Sequence, residues 1–206
     1  MKKFTLIEIM IALAIIGILQ SLLIPALSNA RKKSRDAVCQ SRLKQLYDVS
    51  MMYSLENDNY FVYNAIYPAD RANQRIYWFY VFTQSDRPYY LNDKQQEIMS
   101  CPVINSIYNV TSNNYRTTGM NSKLITGTAK ITKISNPAHK IIYGDGYSHT
   151  NASGKSYSNA INYTSRAGGE EDYIHDGKKN VVHVDGHVES NTKSYLVSDQ
   201  DLWDYN

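Results

Sequence analysis

The N-terminal apolar stretch constrains this chain more than any other feature of its sequence. From Phe4 to Leu27 the sequence runs for 24 residues with one charged side chain, Glu8. As a helix with a rise of about 1.5 Å per residue, this stretch would reach about 36 Å, which is enough to cross a hydrocarbon core of about 30 Å. We therefore predict a membrane-spanning helix over residues 4–27.

A secretory signal peptide is the alternative explanation for such a stretch. Signal peptides have a shorter apolar region, of about 7 to 15 residues, which is followed by a cleavage site of small residues. Here residues 28–31, SNAR, lead directly into more helix-forming sequence. We therefore expect the apolar helix to be retained and to continue as an amphipathic helix over residues 28–56.

A helical repeat of mostly apolar residues supports this continuation. Cys39, Leu43, Leu46, Ser50 and Tyr53 follow one another at spacings of four, three, four and three. Such spacing places them on one face of a helix, and charged residues fill the other faces. The pattern is typical of a helix that lies on a sheet, and the polar run after residue 56 predicts its end.

Two residues are unusual for a simple membrane anchor. An ionised Glu8 at bilayer depth would cost about 2.5 to 3.5 kcal/mol, so we expect it to have a partner unless it snorkels to the nearby interface. Pro25 removes one backbone hydrogen bond from the helix and favours a kink.

Charge and cysteine content exclude several classes of protein. The chain has 22 Lys and Arg against 19 Asp and Glu, so its net charge of +3 is too small to predict a nucleic-acid partner. Cys39 and Cys101 are too few for a four-thiolate metal site and permit one bridge at most, with two buried free thiols as the alternative. The chain also lacks the short motifs of common enzymes, so we predict neither catalysis nor a cofactor.

Residues 57–206 have no long helical period and are predicted to form a β-rich globular domain. The clearest element is a hairpin in which strands 180–184 and 187–189 flank a two-residue loop, Asp185-Gly186. In that register His183 and His187 would point to opposite sides of the hairpin, so they would not share a metal ion.

The residues Lys2–Glu8, KKFTLIE, followed by the apolar run and Pro25, closely resemble the processing signal of type IV prepilins and type II secretion pseudopilins. In that family a membrane prepilin peptidase removes a short basic leader, and the new N-terminal phenylalanine is methylated. The resemblance implies a leader of residues 1–3, cleavage between Lys3 and Phe4, and methylation of Phe4. Lys3 stands where most members have glycine, but a pseudopilin-like branch lacks that glycine too.

The same resemblance assigns roles in assembly. It implies that Glu8 is the retained glutamate that pairs with the N-terminus of an adjacent subunit, and that Pro25 belongs to the same assembly helix. A buried carboxylate and a cationic N-terminus would neutralise each other where water cannot reach.

Landmarks in the second half of the chain are similar to a pseudopilin-like branch whose C-terminal domain ends in a His-x9-Asp-Gly motif. Cys101-Pro102 and Gly119-Met120-Asn121 belong to this pattern, as does His175, which Asp185 and Gly186 follow after nine residues. We expect His175 to donate a hydrogen bond to the Asp185-Gly186 turn as a structural motif. The fold class implied is α+β, with the long helix continuing into a pilin-like domain that contains an antiparallel sheet.

The resemblance implies a structural subunit of a type IV pilus or a type II secretion pseudopilus, with a DNA-uptake pilus as a third machine that it could serve. Its partners would be prepilin peptidase, other pilin or pseudopilin subunits and membrane lipid. It would be a single-pass protein of the cytoplasmic (inner) membrane with its globular domain outside the cytoplasm, where a Cys39–Cys101 disulfide is tolerated.

Two alternatives concern ligands. All five histidines fall in the last third of the chain, yet we favour a structural role for His175 over metal binding; calcium is a weaker option, with Asp199, Asp201 and Asp204 as oxygen donors. The 18 tyrosines and two tryptophans also suit a membrane-anchored carbohydrate-binding or adhesive module. An exposed row of Tyr77, Trp78 and Tyr80 would favour that module, whereas buried rings would favour packing.

Overall fold

The computed structural model describes residues 5–63, 65–66, 76–83, 90–91, 95–107, 117–121, 123, 129–146, 160–161 and 173–205. The chain divides into two compact units, Met1–Ala37 and Val38–Asn206, and each unit is described by itself. The first unit consists of the N-terminal part of one long helix. The second contains the rest of that helix together with the sheet.

The long helix, α1, comprises Leu6–Glu56, which is 51 residues. It ends because Asp58 and Asn59 adopt left-handed backbone conformations, with φ of 52° and 62°. The backbone N–H of Asn59 turns back to donate to the carbonyl of Ser54 at 2.9 Å, which satisfies a carbonyl left free at the helix end. The end of α1 therefore coincides with the polar run from which it was predicted.

The strands of the second unit are β1 Ala65–Ile66, β2 Ile76–Tyr77, β3 Thr118–Asn121, β4 Ile141–Asp145, β5 Ala160–Ile161, β6 Lys178–His183 and β7 Val188–Thr192. Four antiparallel strands form the body of the sheet, in the order β3-β4-β6-β7. A short strand, β5, extends the β3 edge in parallel, and a separate two-stranded sheet is made by β1 and β2.

Short helices complete the second unit. They are α2 Trp78–Thr83, α3 Pro102–Ile107 and α4 Lys193–Ser198, with 3-10 helices at Gln95–Met99, Ile131–Lys133 and Gln200–Trp203. The arrangement is α+β, with a long N-terminal helix followed by an antiparallel sheet domain, as the sequence predicts.

The sheet has apolar cores on both faces, which is why every residue of β4 is buried. One core packs the sheet against α1 and α2; it includes Leu43, Leu46, Trp78, Phe82, Met120, Ile142, Tyr143 and Val182. The other lies under α4 and the C-terminal 3-10 helix; it includes Ile141, Tyr173, Val181, Leu196, Leu202 and Trp203. Burial on both faces fixes the register of β4 and β6, because a slip by one residue would exchange the two sets of side chains.

The loop between β6 and β7 is longer than predicted. The backbone N–H of His183 donates to the carbonyl of His187 at 3.0 Å, and that of Gly186 donates to the carbonyl of His183 at 2.9 Å. The loop therefore has three residues, 184–186, and Gly186 at φ 89° supplies the left-handed position that follows a type I turn. The prediction of a two-residue Asp185-Gly186 loop is wrong.

A two-residue Asp-Gly loop does occur, but one turn earlier in the chain. Asp176 and Gly177 both have positive φ, 53° and 77°, and the backbones of His175 and Lys178 exchange two hydrogen bonds of 3.1 Å across them. Positive φ at both central residues defines the type I′ turn that suits a tight hairpin. This turn sets His175 beside the first residue of β6.

Candidate assembly helix and buried side-chain clusters

The part of α1 in the first unit exposes its apolar surface. All of residues 5–35 are exposed, and the large apolar residues from Leu6 to Leu27 have exposed fractions from 48% to 79%. Within the described residues this is the one helix long and apolar enough to cross a membrane, with a mean hydropathy of 2.4. A continuous apolar surface of this extent needs a cover, which lipid or other apolar helices can provide.

Glu8 takes part in a capping box at the start of α1. Its Oε2 accepts hydrogen bonds from the backbone N–H and the hydroxyl of Thr5, both at 2.8 Å. The Thr5 hydroxyl in turn accepts from the backbone N–H of Glu8 at 3.4 Å. A Thr-x-x-Glu sequence just before an apolar run is the ordinary signature of this cap, and our sequence reasoning overlooked it.

Pro25 lies inside α1, and the helix continues on both sides of it. Because proline has no N–H, the carbonyl four residues earlier, that of Ser21, loses its usual donor. Pro25 therefore marks the position at which the apolar segment can bend most easily. The predicted processing residues, Lys3 and Phe4, lie outside the described residues.

In the second unit, α1 packs one face on the sheet. The residues buried on that face are Cys39, Leu43, Leu46, Ser50 and Ser54. Next to them, Tyr47 donates its hydroxyl to the carbonyl of Val184 at 3.0 Å, and Lys44 donates to the carbonyl of Gly186 at 3.1 Å. Burial, followed by the nearby charges of Asp185 and Asp48, raises the pKa of Tyr47. These bonds attach the helix to the β6–β7 loop.

A disulfide joins Cys39 of α1 to Cys101, with α-carbons 5.0 Å apart, and it lies beside a buried pair of a histidine and an aspartate. Nε2 of His175 is 2.7 Å from Oδ2 of Asp145 and 3.5 Å from Sγ of Cys101. The other oxygen of Asp145 accepts from the backbone N–H of Asn180 at 2.9 Å. This cluster ties α1 and the segment before α3 to strands β4 and β6.

The structure thus gives His175 a different partner from the one predicted. His175 lies beside the first residue of β6, whereas the Asp185-Gly186 turn follows its last residue, and a strand of six residues spans about 20 Å. Asp145, which the sequence analysis did not single out as a partner, is 30 positions upstream at the end of β4. No short-range pattern links the two, since the pairing of β4 with β6 brings them together.

His183 and His187 also differ from the prediction. The longer loop places Val182 opposite Val188, so His183 is opposite His187 and both side chains lie on the same face. Their rings are stacked, with centroids 4.2 Å apart and planes 8° from parallel. Burial, and then the neighbouring His187, lower the pKa of His183. The expectation that the two histidines point to opposite sides is wrong.

The three C-terminal aspartates proposed as a weak calcium site each lie beside a cationic or titratable nitrogen. Oδ2 of Asp199 is 2.9 Å from Nε2 of His139, and Oδ1 of Asp204 is 3.6 Å from Nζ of Lys123. Asp201 accepts from Nζ of the buried Lys140 at 2.5 Å. Oxygens engaged with side chains in this way do not favour calcium.

Trp78 bears on the adhesive alternative because its ring is fully buried, with an exposed fraction of 0%. It packs against Phe79, Phe82 and Tyr143, with ring centroids 5.3 to 6.1 Å apart. This ring is part of the core and is closed to a sugar ligand. The side chains of Tyr77 and Tyr80 lie outside the described residues.

Comparison with known proteins identifies two relatives, both described as pilus components. The chain is 44% identical over 59 residues to the type IV wide pilus major component PilA4 of Thermus thermophilus. It is 39% identical over 59 residues to the type IV major pilin protein PilA of Myxococcus xanthus. Each match covers 29% of this chain, and no protein-family model and no solved structure matches it.

The matched segment is a minor part of each relative. The chain spans 45% of the length of the Thermus protein and 27% of that of the Myxococcus protein. Similarity of this level over a segment shows kinship with type IV pilins in that segment. This chain therefore has type IV pilins as its relatives, over 59 residues of its length.

Proposed function

We propose that this chain is a structural subunit of a type IV pilus or a related type II secretion pseudopilus. The observation that carries this proposal is the exposed apolar part of α1, which starts with a single carboxylate held in a capping box. Before assembly, lipid of the inner membrane covers this surface; in the filament, the same surface packs against the apolar helices of other subunits. The two relatives, both named as major pilus subunits, support a filament over an enzyme or an adhesive module.

Processing by a prepilin peptidase belongs to the same proposal. Cleavage between Lys3 and Phe4 removes residues 1–3 and creates an N-terminal amine close to Glu8, and methylation of Phe4 follows. The globular domain lies outside the cytoplasm, and the Cys39–Cys101 disulfide supports this location because such bonds persist in oxidising compartments. Mass spectrometry of the N-terminus from native membranes tests both processing steps.

Glu8 is positioned for a partner in the filament. Both hydrogen bonds from Thr5 reach the same carboxylate oxygen, Oε2. An ionised carboxylate has about four lone-pair sites, so the side chain can accept further donors while it caps its own helix. The cationic N-terminus of an adjacent subunit is the donor that we propose, because a charge buried among apolar helices needs a charge of opposite sign.

Three variants at the capping box separate the charge of Glu8 from its capping role. Glu8→Gln keeps a side-chain oxygen that can cap the helix but removes the charge, whereas Thr5→Ala weakens the cap and keeps the charge. Glu8→Val removes both. We expect Glu8→Gln and Glu8→Val to abolish incorporation into filaments, while Thr5→Ala reduces it by less than half. The measurement is the ratio of subunit in sheared filaments to subunit in membranes, by immunoblot.

Membrane insertion provides the control for this series. All three variants should reach the membrane in normal amounts. Glu8→Gln and Glu8→Val remove a charge from an apolar helix, which makes insertion easier, and Thr5→Ala leaves the charge of the helix unchanged. Normal filament incorporation of Glu8→Gln would contradict the charge-pairing role. Filament loss in Thr5→Ala equal to that in Glu8→Val would show instead that the cap itself is what assembly requires.

A further inference from the structure

A second group of side chains, at the β6–β7 hairpin, has no role in the proposed function. His183, His187 and Glu189 each offer a ligand atom, and these atoms lie within 4.8 Å of one another. They share one face because His183 is opposite His187, while Glu189 is two residues further along β7. The three-residue loop is what creates this arrangement.

Asp185 lies where a metal site has an outer-sphere carboxylate, and Glu189 lies where it has a ligand. Oδ1 of Asp185 is 2.7 Å from Nδ1 of His187, which directs the Nδ1 proton to Asp185 and leaves the Nε2 lone pair available. Oε1 of Glu189 is 2.8 Å from Nε2 of His183. Histidines that bind metals almost always have their second nitrogen held by a carboxylate, a carbonyl or water, as Asp185 holds Nδ1 of His187.

His183 supplies an independent observation. Its side chain has an exposed fraction of 1%, yet Nδ1 has no hydrogen-bond partner among the described residues. A buried polar atom without a partner is unusual and costs free energy unless something binds to it. Nε2 is the nitrogen that faces Glu189, so an ion shared with Glu189 would bind His183 at Nε2 and displace the proton between them, and Nδ1 would then carry the proton of the neutral ring.

We propose that His183, His187 and Glu189 form a binding site for a divalent transition-metal ion of the zinc class. Two imidazoles and one carboxylate favour zinc over calcium or magnesium, which prefer sets of oxygen ligands. Three protein ligands leave the fourth tetrahedral position for water, on the exposed side of the hairpin. Bound there, the ion clips the end of β6 to the start of β7.

Binding requires His187 to leave its stacked position, because imidazole lone pairs lie in the ring plane and two nearly parallel rings with centroids 4.2 Å apart cannot direct them at one ion. Ligand atoms about 2.0 to 2.1 Å from a tetrahedral zinc ion lie about 3.3 Å apart, so atoms within 4.8 Å must approach by about 1.5 Å at most. His183 is fixed by burial, whereas the side chains of His187 and Glu189 have exposed fractions of 43% and 36%. The two partly exposed ligands can therefore rotate towards the fixed one.

The test uses the full-length protein in detergent, purified without a polyhistidine tag and stripped with EDTA. Isothermal titration with Zn²⁺ should show one site per chain, and Co²⁺ should give the visible absorption bands of a tetrahedral complex. His187→Ala and Glu189→Gln should each weaken Zn²⁺ binding at least tenfold. Asp185→Asn, which alters the support of His187, should weaken it by about 10- to 100-fold.

His139→Gln is the matched control, because His139 is a partly exposed histidine whose side chain pairs with Asp199 and is not one of the three proposed ligands. It should bind Zn²⁺ as the unmodified protein does. Melting in EDTA verifies that His187→Ala is folded, and added Zn²⁺ should raise the melting temperature of the unmodified protein but not that of His187→Ala. The proposal would be overturned if the unmodified protein had no stoichiometric Zn²⁺ site, or if His187→Ala and Glu189→Gln bound Zn²⁺ as tightly as the unmodified protein does.

Discussion

Gly186 lies where the β6–β7 loop closely approaches two side chains of α1, those of Tyr47 and Lys44. Its backbone is left-handed, with φ of 89°, and a Cβ atom there would lie 2.5 Å from a ring carbon of Tyr47 and 2.7 Å from Nζ of Lys44. Gly177 has a similar φ of 77°, but a Cβ atom there would meet nothing within 4 Å. The two glycines thus share a backbone requirement and differ in the space around them.

This pair makes a matched test of the contact. Gly177→Ala should lower the free energy of unfolding by about 1–2 kcal/mol, the cost of a left-handed L-residue. Gly186→Ala should cost about 1–3 kcal/mol more, because the methyl group also displaces Tyr47 or Lys44. Urea unfolding of the two full-length variants in detergent measures the difference. Equal losses would show that α1 gives way to the methyl group without cost.

The contribution of Asp201 to the stability of the protein should depend on pH. The hydrogen bond from Lys140, and then its charge and that of His139, hold the pKa of Asp201 below its ordinary value of 3.8. A carboxylate with a lowered folded-state pKa stabilises the protein fully above its unfolded-state pKa, and this contribution disappears as the pH falls through the folded-state pKa.

Asp201→Asn should therefore lower the melting temperature at pH 7 and have no effect once the pH is well below 3.8. Melting curves of both proteins between pH 2 and pH 7 measure this difference. Lys140 keeps its second hydrogen bond, to the backbone carbonyl of residue 201, in both proteins. A difference that stays constant across the range would show that the shape of the side chain matters and its charge does not.

Among the elements, α1 shows what sequence can predict. Its apolar run and its 3-4 spacing are local and long, so the helix, its buried face and its end all follow from residues near one another in the chain. The β6–β7 hairpin was predicted for the same reason. The exact loop was not, because Asp-Gly fits both a two-residue type I′ turn and the last two positions of a three-residue loop.

Contacts from distant residues decide between those loops. Tyr47 and Lys44 donate to the carbonyls of Val184 and Gly186 from α1, about 140 positions away in the sequence. At Asp176-Gly177 the structure uses the tight turn instead. The candidate metal ligands depend on which loop forms. With a two-residue loop, His183 and His187 would lie on opposite sides of the hairpin, whereas with the three-residue loop they lie on the same face. Such sites cannot be found from local sequence alone.

For the whole molecule, the disulfide is a covalent link between distant parts of the second unit. Cys39 and Cys101 are 62 positions apart, and the bond is buried beside His175 and Asp145. Closing a loop of this length in the unfolded chain stabilises the folded state by about 4 kcal/mol in the chain-entropy account. Most of a marginal domain's stability can depend on a contribution of that size.

Replacing both cysteines with serine should therefore lower the free energy of unfolding by about 4 kcal/mol, as measured by urea unfolding. Reduction of the unmodified protein is the control, and it should give a loss similar to that of the double variant. A loss below about 1 kcal/mol in both would mean that the buried contacts around the bond hold α1 on the sheet without it.

In the filament that we propose, the disulfide would also determine how a subunit carries mechanical load. Tension would act on the subunit through the N-terminal part of α1, and the force would enter the second unit near Cys39. The bond passes that force directly to Cys101, so the segment between them is bypassed. At about 3.4 Å per extended residue, the 62-residue separation corresponds to about 210 Å of chain that cannot be drawn out while the bond is intact. A filament of such subunits would resist stretching until the bond is reduced.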